Sequence, residues 1–157
     1  MISAQELDKG MVMLKTIWFA LAGSLVMYVI AVPLFLADSA ARFSPEIYGE
    51  LRVLLYAVAA ATLAASWLVR RLLLGARIPP KPTRSQQHPV IQRYTTAMLI
   101  ALAMTEAIGI YGLLLFLLGG NRTDLLLLSA LAAAAMTLYF PRKNELISLA
   151  EKFNRRD

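Results

Sequence analysis

The sequence predicts an all-α, polytopic membrane protein with four transmembrane helices and a short amphipathic C-terminal helix. Of its 157 residues, 59% are apolar, whereas globular chains hold about 45–50%. The apolar residues fall into four runs that approach or exceed the length of about 17 to 25 residues needed to span hydrocarbon. Helices are expected in these runs because lipid offers the backbone no hydrogen-bond partners. The connections are too short for a soluble domain, so residues 1–157 should form one membrane domain.

The four runs predict helices at about residues 16–36, 53–69, 95–118 and 125–140. The first is about twice as long as the apolar region of a signal peptide, and acidic residues precede it. It is therefore expected to remain as a span, although Ala37–Ala41 offers the small residues of a cleavage site. The fourth run is short and must use its flanks. A tight connection to the third run makes these two helices antiparallel neighbours.

The tail, residues 141–157, predicts a short amphipathic helix. Apolar residues recur there at helical spacing, and basic residues are available to the polar side: Leu146, Leu149, Ala150 and Phe153 against Lys143, Lys152, Arg155 and Arg156. Such a helix can lie in the headgroup layer against anionic lipid. It can equally cover the cytoplasmic end of its own domain. The pattern does not choose between these interpretations.

The distribution of basic residues predicts the orientation. Thirteen of the 16 Lys and Arg residues lie in the N-terminal segment, in the connection between the second and third runs, or in the tail. Because basic residues of short loops stay on the cytoplasmic side, both termini are expected in the cytoplasm. The net charge of +6 is then largely a topology signal. No aromatic platform interleaves with the basic residues, so no nucleic-acid partner is predicted.

The candidate functional residue is Glu106, at the midpoint of the third run. A charged side chain at this depth costs roughly 2.5 to 3.5 kcal/mol on insertion scales. None of the four runs has Lys, Arg or His in its middle. Glu106 is therefore either protonated and hydrogen-bonded, or it faces water, an ion or another subunit. Hydroxyl groups at comparable depth give its possible hydrogen-bond partners: Thr105, Ser24, Tyr28, Thr62 and Ser129.

Small residues predict where the helices pack. The second run is rich in alanine, and the third carries Ala101, Gly109 and Gly112 along one stripe. Small side chains let helix backbones approach closely in lipid, where packing drives helix association. The second and third helices are therefore expected to form the tightest pair.

The third run also resembles a known family. The stretch from Arg93 to Leu113, and above all Glu-Ala-Ile-x-Ile-Tyr-Gly-Leu at 106–113, is similar to the ion-binding outer helix of the rotor-ring proteolipid, subunit c of rotary ATP synthases. The resemblance implies that Glu106 carries a proton and that the protein lies in a bacterial inner membrane. The family's inner helix has a repeated Gly-x-Gly-x-Gly pattern, whereas the second run here has alanines.

Two functions remain open on these grounds. Glu106 either titrates during ion movement within a ring or larger complex, or forms a structural hydrogen bond in an accessory or assembly subunit. An enzyme is disfavoured because the chain lacks cysteine, its only histidine is His88 in a Pro-flanked loop, and no paired carboxylates or phosphate loop occur. We therefore expect no catalytic residue, metal or cofactor. The expected partners are the bilayer and other membrane subunits or further copies of the chain.

Overall fold

The computed structural model describes residues 4–36, 43–75 and 89–154, which form helices joined by short connections and contain no strand. The all-α prediction is confirmed for these residues. His88 and the Ala37–Ala41 segment lie outside them. In chain order the helices are α1 (Ala4–Leu36), α2 (Pro45–Gly75), α3 (Pro89–Gly119), α4 (Arg122–Leu138) and α5 (Lys143–Asn154).

Three of these helices, α1, α2 and α3, are long and apolar enough to cross a membrane. Each extends beyond its apolar run, because continuing the helix keeps backbone groups hydrogen-bonded where the chain leaves lipid. The fourth, α4, has 17 residues, about 25 Å at 1.5 Å per residue, which is less than the hydrocarbon thickness of about 30 Å. It meets α5 at a bend of 53°, and the two together pass the same length and composition test. A multi-pass membrane protein is therefore supported, with three helices able to span alone.

Hydrogen bonds at opposite ends show that α2 and α4 run in the same direction. Near the start of both helices, the Tyr48 hydroxyl donates to Asp124 Oδ2 over 2.6 Å. Farther along both helices, Ser66 Oγ of α2 lies 3.0 Å from the hydroxyl of Tyr139, the residue that follows α4. The chain must therefore reverse direction between them, and α3 does so.

The contacts of α3 complete the topology. It runs antiparallel to α2, since the Phe43 N–H, just before α2, donates to the Leu118 carbonyl near the end of α3 over 3.2 Å. It runs parallel to α1, whose Gly10 lies beside Ile91 and whose Leu25 lies beside Gly109. The first four helices therefore alternate in direction.

The core is centred on α3, which contacts every other helix, whereas α1 contacts mainly α3 and α4. In the most apolar stretch of α3, 44% of the residues are buried, against 11% in α1 and 11% in α2. Large apolar side chains such as Phe19, Val53 and Leu126 face outward. Such a surface suits a lipid environment, in which an apolar exterior costs nothing.

Gly109 and Gly112 of α3 pack against α1 and α4, whereas the sequence suggested that they would pack against α2. A methyl group on Gly109 would collide with Leu25 of α1. One on Gly112 would lie 3.0 Å from Leu128 Cβ of α4. Ala101 is fully buried. Because α3 packs about equally on α2 and α4, no single pair stands out, and the glycines let α3 approach α1 and α4.

The short helix α5 covers one end of the bundle. Its Leu146 is fully buried, and its Glu145 accepts hydrogen bonds from Arg70 of α2 over 2.7 Å and from Tyr94 of α3 over 3.1 Å. On its outer side, Ile147 is exposed. Of the two interpretations of the tail, these contacts favour a helix that packs on its own domain.

Candidate functional site

Glu106 lies in the middle of α3, partly buried against α1. Its Oε1 atom is 2.6 Å from Ser24 Oγ and 3.3 Å from the Tyr28 hydroxyl. Residues four apart lie on one face of a helix. One face of α1 therefore presents two hydroxyl groups to a single carboxyl oxygen.

Ser24 has a second short contact, since its Oγ atom lies 2.7 Å from the carbonyl oxygen of Leu21. A serine hydroxyl has one proton to donate, and a carbonyl oxygen can only accept. When Ser24 donates to Leu21, it can bond to Glu106 only by accepting a proton from the protonated acid. When Glu106 is ionised, Ser24 can donate to it instead. The same geometry therefore serves both protonation states of the carboxyl group.

No cation balances Glu106 within the described part of the chain. The ion pairs found there join Arg52 to Asp124, Arg70 to Glu145 and Lys143 to Asp8. The second carboxyl oxygen of Glu106, Oε2, accepts no hydrogen bond from the described residues. This oxygen is also not completely buried. One oxygen is thus hydrogen-bonded to α1, and the other has no hydrogen-bond partner among the described residues.

Glu106 lies at the edge of an outward face of α3. Exposed residues recur there at spacings of three, four or seven positions, as expected for one face of a helix: Thr96, Ile100, Ala103, Ile110 and Leu114. Glu106 adjoins this face on the side of α1, so its side chain lies between α1 and the outer surface of α3.

The other hydroxyls at this depth are not bonded to Glu106. Thr105 donates within its own helix, to the carbonyls of Leu102 over 2.8 Å and Ala101 over 3.2 Å. It is the neighbour of Glu106 in sequence, but successive helical residues point about 100° apart. Ser129 is buried with no partner for its hydroxyl among the described residues, and Thr62 makes no hydrogen bond to the carboxyl group.

A second buried carboxylate, Asp124, was not singled out from the sequence. It is fully buried at the start of α4. Four side chains donate to it: the hydroxyls of Tyr48 and Tyr56 over 2.6 and 2.8 Å, Nε of Arg52 over 3.1 Å and Nδ2 of Asn121 over 3.0 Å. Both of its oxygens are satisfied by protein groups, so it joins the start of α4 to α2.

Two sequence signals could have predicted this network. Asn121 caps α4 by accepting a hydrogen bond from the Thr123 N–H over 2.9 Å, and an acidic residue three positions after a cap is the spacing of a capping box. The three partners from α2, Tyr48, Arg52 and Tyr56, recur every four residues on one face. The fourth apolar run begins only at about residue 125, so Asp124 fell outside the predicted helix.

Within the described ranges no group of three or more His, Cys, Asp or Glu residues could hold a metal ion. Comparison of the chain with known protein families, with curated proteins and with solved structures gives no match.

Proposed function

We propose that the protein binds and releases a proton at Glu106 within the membrane, as a non-catalytic component of a larger membrane assembly. The observation that carries this proposal is the pairing of Glu106 with Ser24, whose hydroxyl can accept from the acid or donate to the carboxylate. No cation fixes Glu106 in its charged form among the described residues. An acid without such a partner in apolar surroundings is suited to holding a proton.

Comparison with Asp124 supports this proposal. A buried carboxylate with a purely structural role is expected to have its lone pairs satisfied, and Asp124 has four donors, one of them an arginine. Glu106 has two hydroxyl contacts on one oxygen, and its second oxygen has no hydrogen-bond partner among the described residues. The incomplete set of partners leaves room for exchange with water, an ion or another subunit.

For the membrane setting, we propose a multi-pass protein of a bacterial inner membrane in which α4 and α5 together make the fourth passage and both termini are cytoplasmic. The basic residues Lys9, Arg70, Arg93 and Lys143 occur near the start of α1, the end of α2, the start of α3 and the start of α5. The alternating helix directions place these segments at one end of the bundle. A concentration of positive charge at one end is typical of a cytoplasmic side.

The partners that fit this proposal are lipid and other membrane subunits, or further copies of the chain. The exposed face of α3 beside Glu106 is apolar and includes the small residue Ala103, which allows close helix approach. The resemblance of residues 106–113 to subunit c of rotary ATP synthases agrees with a proton carrier inside an assembly. A nucleic-acid partner is not proposed.

A specific observation favours a second candidate, an accessory or assembly subunit in which Glu106 is structural. Only 11% of the most apolar stretch of α1 is buried, so this helix has little packing to hold it. Its hydroxyls at Ser24 and Tyr28 both bond to Glu106. In this alternative the contact fastens α1 to α3, and the proton never needs to leave.

Carbodiimide labelling across pH, read by mass spectrometry on native membranes, separates the two candidates. The reagent modifies protonated carboxyl groups in apolar surroundings, and Glu106→Gln is the control that lacks the reactive group. We expect labelling of Glu106 that declines as the pH rises. Absence of labelling at every pH would contradict proton exchange and favour the structural candidate.

A further inference from the structure

We infer that Ser24 is a positioning residue that adjusts the site to both protonation states of Glu106, by turning one hydroxyl between two oxygen atoms. The inference rests on the proposed function, because it concerns the same proton. It assigns to α1 a role in setting the pH at which Glu106 releases that proton.

In the protonated state, three oxygen atoms form a continuous chain. The Glu106 acid donates to Ser24 Oγ over 2.6 Å, and the Ser24 hydroxyl donates to the Leu21 carbonyl over 2.7 Å. Every proton in this chain has one donor and one acceptor. The chain stabilises the neutral acid and needs no charged partner.

In the ionised state, the acid proton has passed to water or to a base of a neighbouring subunit. The Ser24 hydroxyl then turns to donate to the Glu106 carboxylate. The Leu21 carbonyl keeps the backbone hydrogen bond that it accepts within α1, since each helical carbonyl accepts from the N–H four residues later. Only a hydroxyl rotation is required, and no backbone atom has to move.

Tyr28 does not have this double role. Its hydroxyl lies farther from Glu106 Oε1, at 3.3 Å, and its side-chain hydrogen-bond neighbours are Glu106 and Ser24, neither of which is a backbone carbonyl. It can therefore donate to the carboxyl group in either state. Tyr28 is the titratable group of α1 that faces Glu106, and no charged side chain of the described parts of α2, α4 or α5 bonds to Glu106.

The test compares the pH profile of carbodiimide labelling in the wild type, Ser24→Ala, Ser24→Thr and Tyr28→Phe. Hydrogen bonds to a charged acceptor are roughly twice as strong as neutral ones. Removing the Ser24 hydroxyl therefore costs the ionised state more than the protonated state. We expect the labelling midpoint of Ser24→Ala to move to higher pH, Ser24→Thr to restore it, and Tyr28→Phe to shift it less because its contact is longer.

The outcomes distinguish this inference from the proposed function. Wild-type labelling that titrates, with an unchanged midpoint in Ser24→Ala, would overturn the inference and leave proton binding intact. A shifted midpoint that Ser24→Thr fails to restore would also overturn it, because the cause would be packing. No wild-type labelling at any pH would overturn the proposed function itself. If Ser24→Ala does not fold, Ser24→Cys, with its weaker donor, must give a midpoint displaced in the same direction.

Discussion

Ser24 of α1 and Glu106 of α3 meet in the middle of the bundle, with 2.6 Å between the serine Oγ and the carboxyl Oε1. This contact joins α1, of whose most apolar stretch 11% is buried, to α3, where the share is 44%. It differs from the surroundings of Asp124, where four side-chain donors, one of them Arg52, hold the carboxyl group. One carboxyl group thus has hydrogen-bond partners on both oxygens, and the other has partners on one oxygen only, which is the difference on which our proposal of proton exchange rests.

Substitutions of Glu106 should separate hydrogen bonding from ionisation. Glu106→Gln keeps a polar group beside Ser24 and Tyr28, so we expect its thermal stability in lipid to be close to that of the wild type. Because the amide cannot exchange a proton as the acid does, we also expect the pH-dependent carbodiimide labelling to be lost. Glu106→Ala leaves both hydroxyls without this acceptor, which should cost about 1–3 kcal/mol. Thermal unfolding of the two purified variants checks the difference. Equal and large losses in both would show that the carboxyl group has a structural role that glutamine cannot fill.

The glycines offer a matched pair for the α1 contact. Gly109→Ala would drive a methyl group into Leu25, whereas Gly23→Ala adds one in open space. Overpacking typically costs about 1–3 kcal/mol, so we expect Gly109→Ala to be destabilising and to loosen α1 from α3. Gly23→Ala should be neutral or slightly stabilising. Unfolding measurements, with disulfide cross-linking between cysteines introduced into α1 and α3, give the comparison, and similar behaviour of both variants would contradict the packing described.

The Asp124 network should support stability and leave the proton site unaltered. In Asp124→Ala the hydroxyls of Tyr48 and Tyr56 lose a charged acceptor, which should cost about 2 kcal/mol or more. Arg122→Ala, at an exposed residue of the same helix start, should change stability by less than about 0.5 kcal/mol. Chemical unfolding of both variants measures this. A shifted carbodiimide profile in a folded Asp124→Ala protein would contradict the separation of the two sites.

The packing of α5 on the bundle should depend more on Glu145 than on the exposed ion pair between Lys143 and Asp8. Glu145→Ala removes the acceptor shared by Arg70 and Tyr94, so we expect faster hydrogen exchange or proteolysis in α5. Asp8→Asn breaks an ion pair whose two side chains are both more than half exposed, and exposed pairs contribute little. Equal protection of α5 in both variants would contradict this difference.

Composition and run length were sufficient to predict the helical class and the place of Glu106 in the middle of a long apolar helix, because both depend on local sequence. Counting residues along the apolar runs also predicted that Ser24 and Tyr28 lie at about the same height along the bundle as Glu106. Which hydroxyls contact Glu106 depends on how each helix is rotated about its own axis. This rotation cannot be predicted from one sequence when several helices pack around α3. The same reason explains why Gly109 and Gly112 were expected to face α2 but contact α1 and α4.

Asp124 shows a different limit. Its charge and its place between two apolar runs suggested an external loop, whereas α4 begins two residues earlier and α2 extends far enough to bring Tyr48 and Arg52 beside it. A buried charge is acceptable here because donors from separate helices surround it. Run length alone cannot report such an arrangement, although the spacing of Asn121 and Asp124 could have indicated it.

Proton exchange at Glu106 is tested most directly by infrared difference spectroscopy of the protein in lipid, recorded between acid and alkaline pH. The account predicts a carbonyl band of a protonated carboxylic acid at low pH that disappears as the pH rises, and that is absent from Glu106→Gln. A spectrum in which the wild type and Glu106→Gln show the same carboxyl bands at every pH would contradict it.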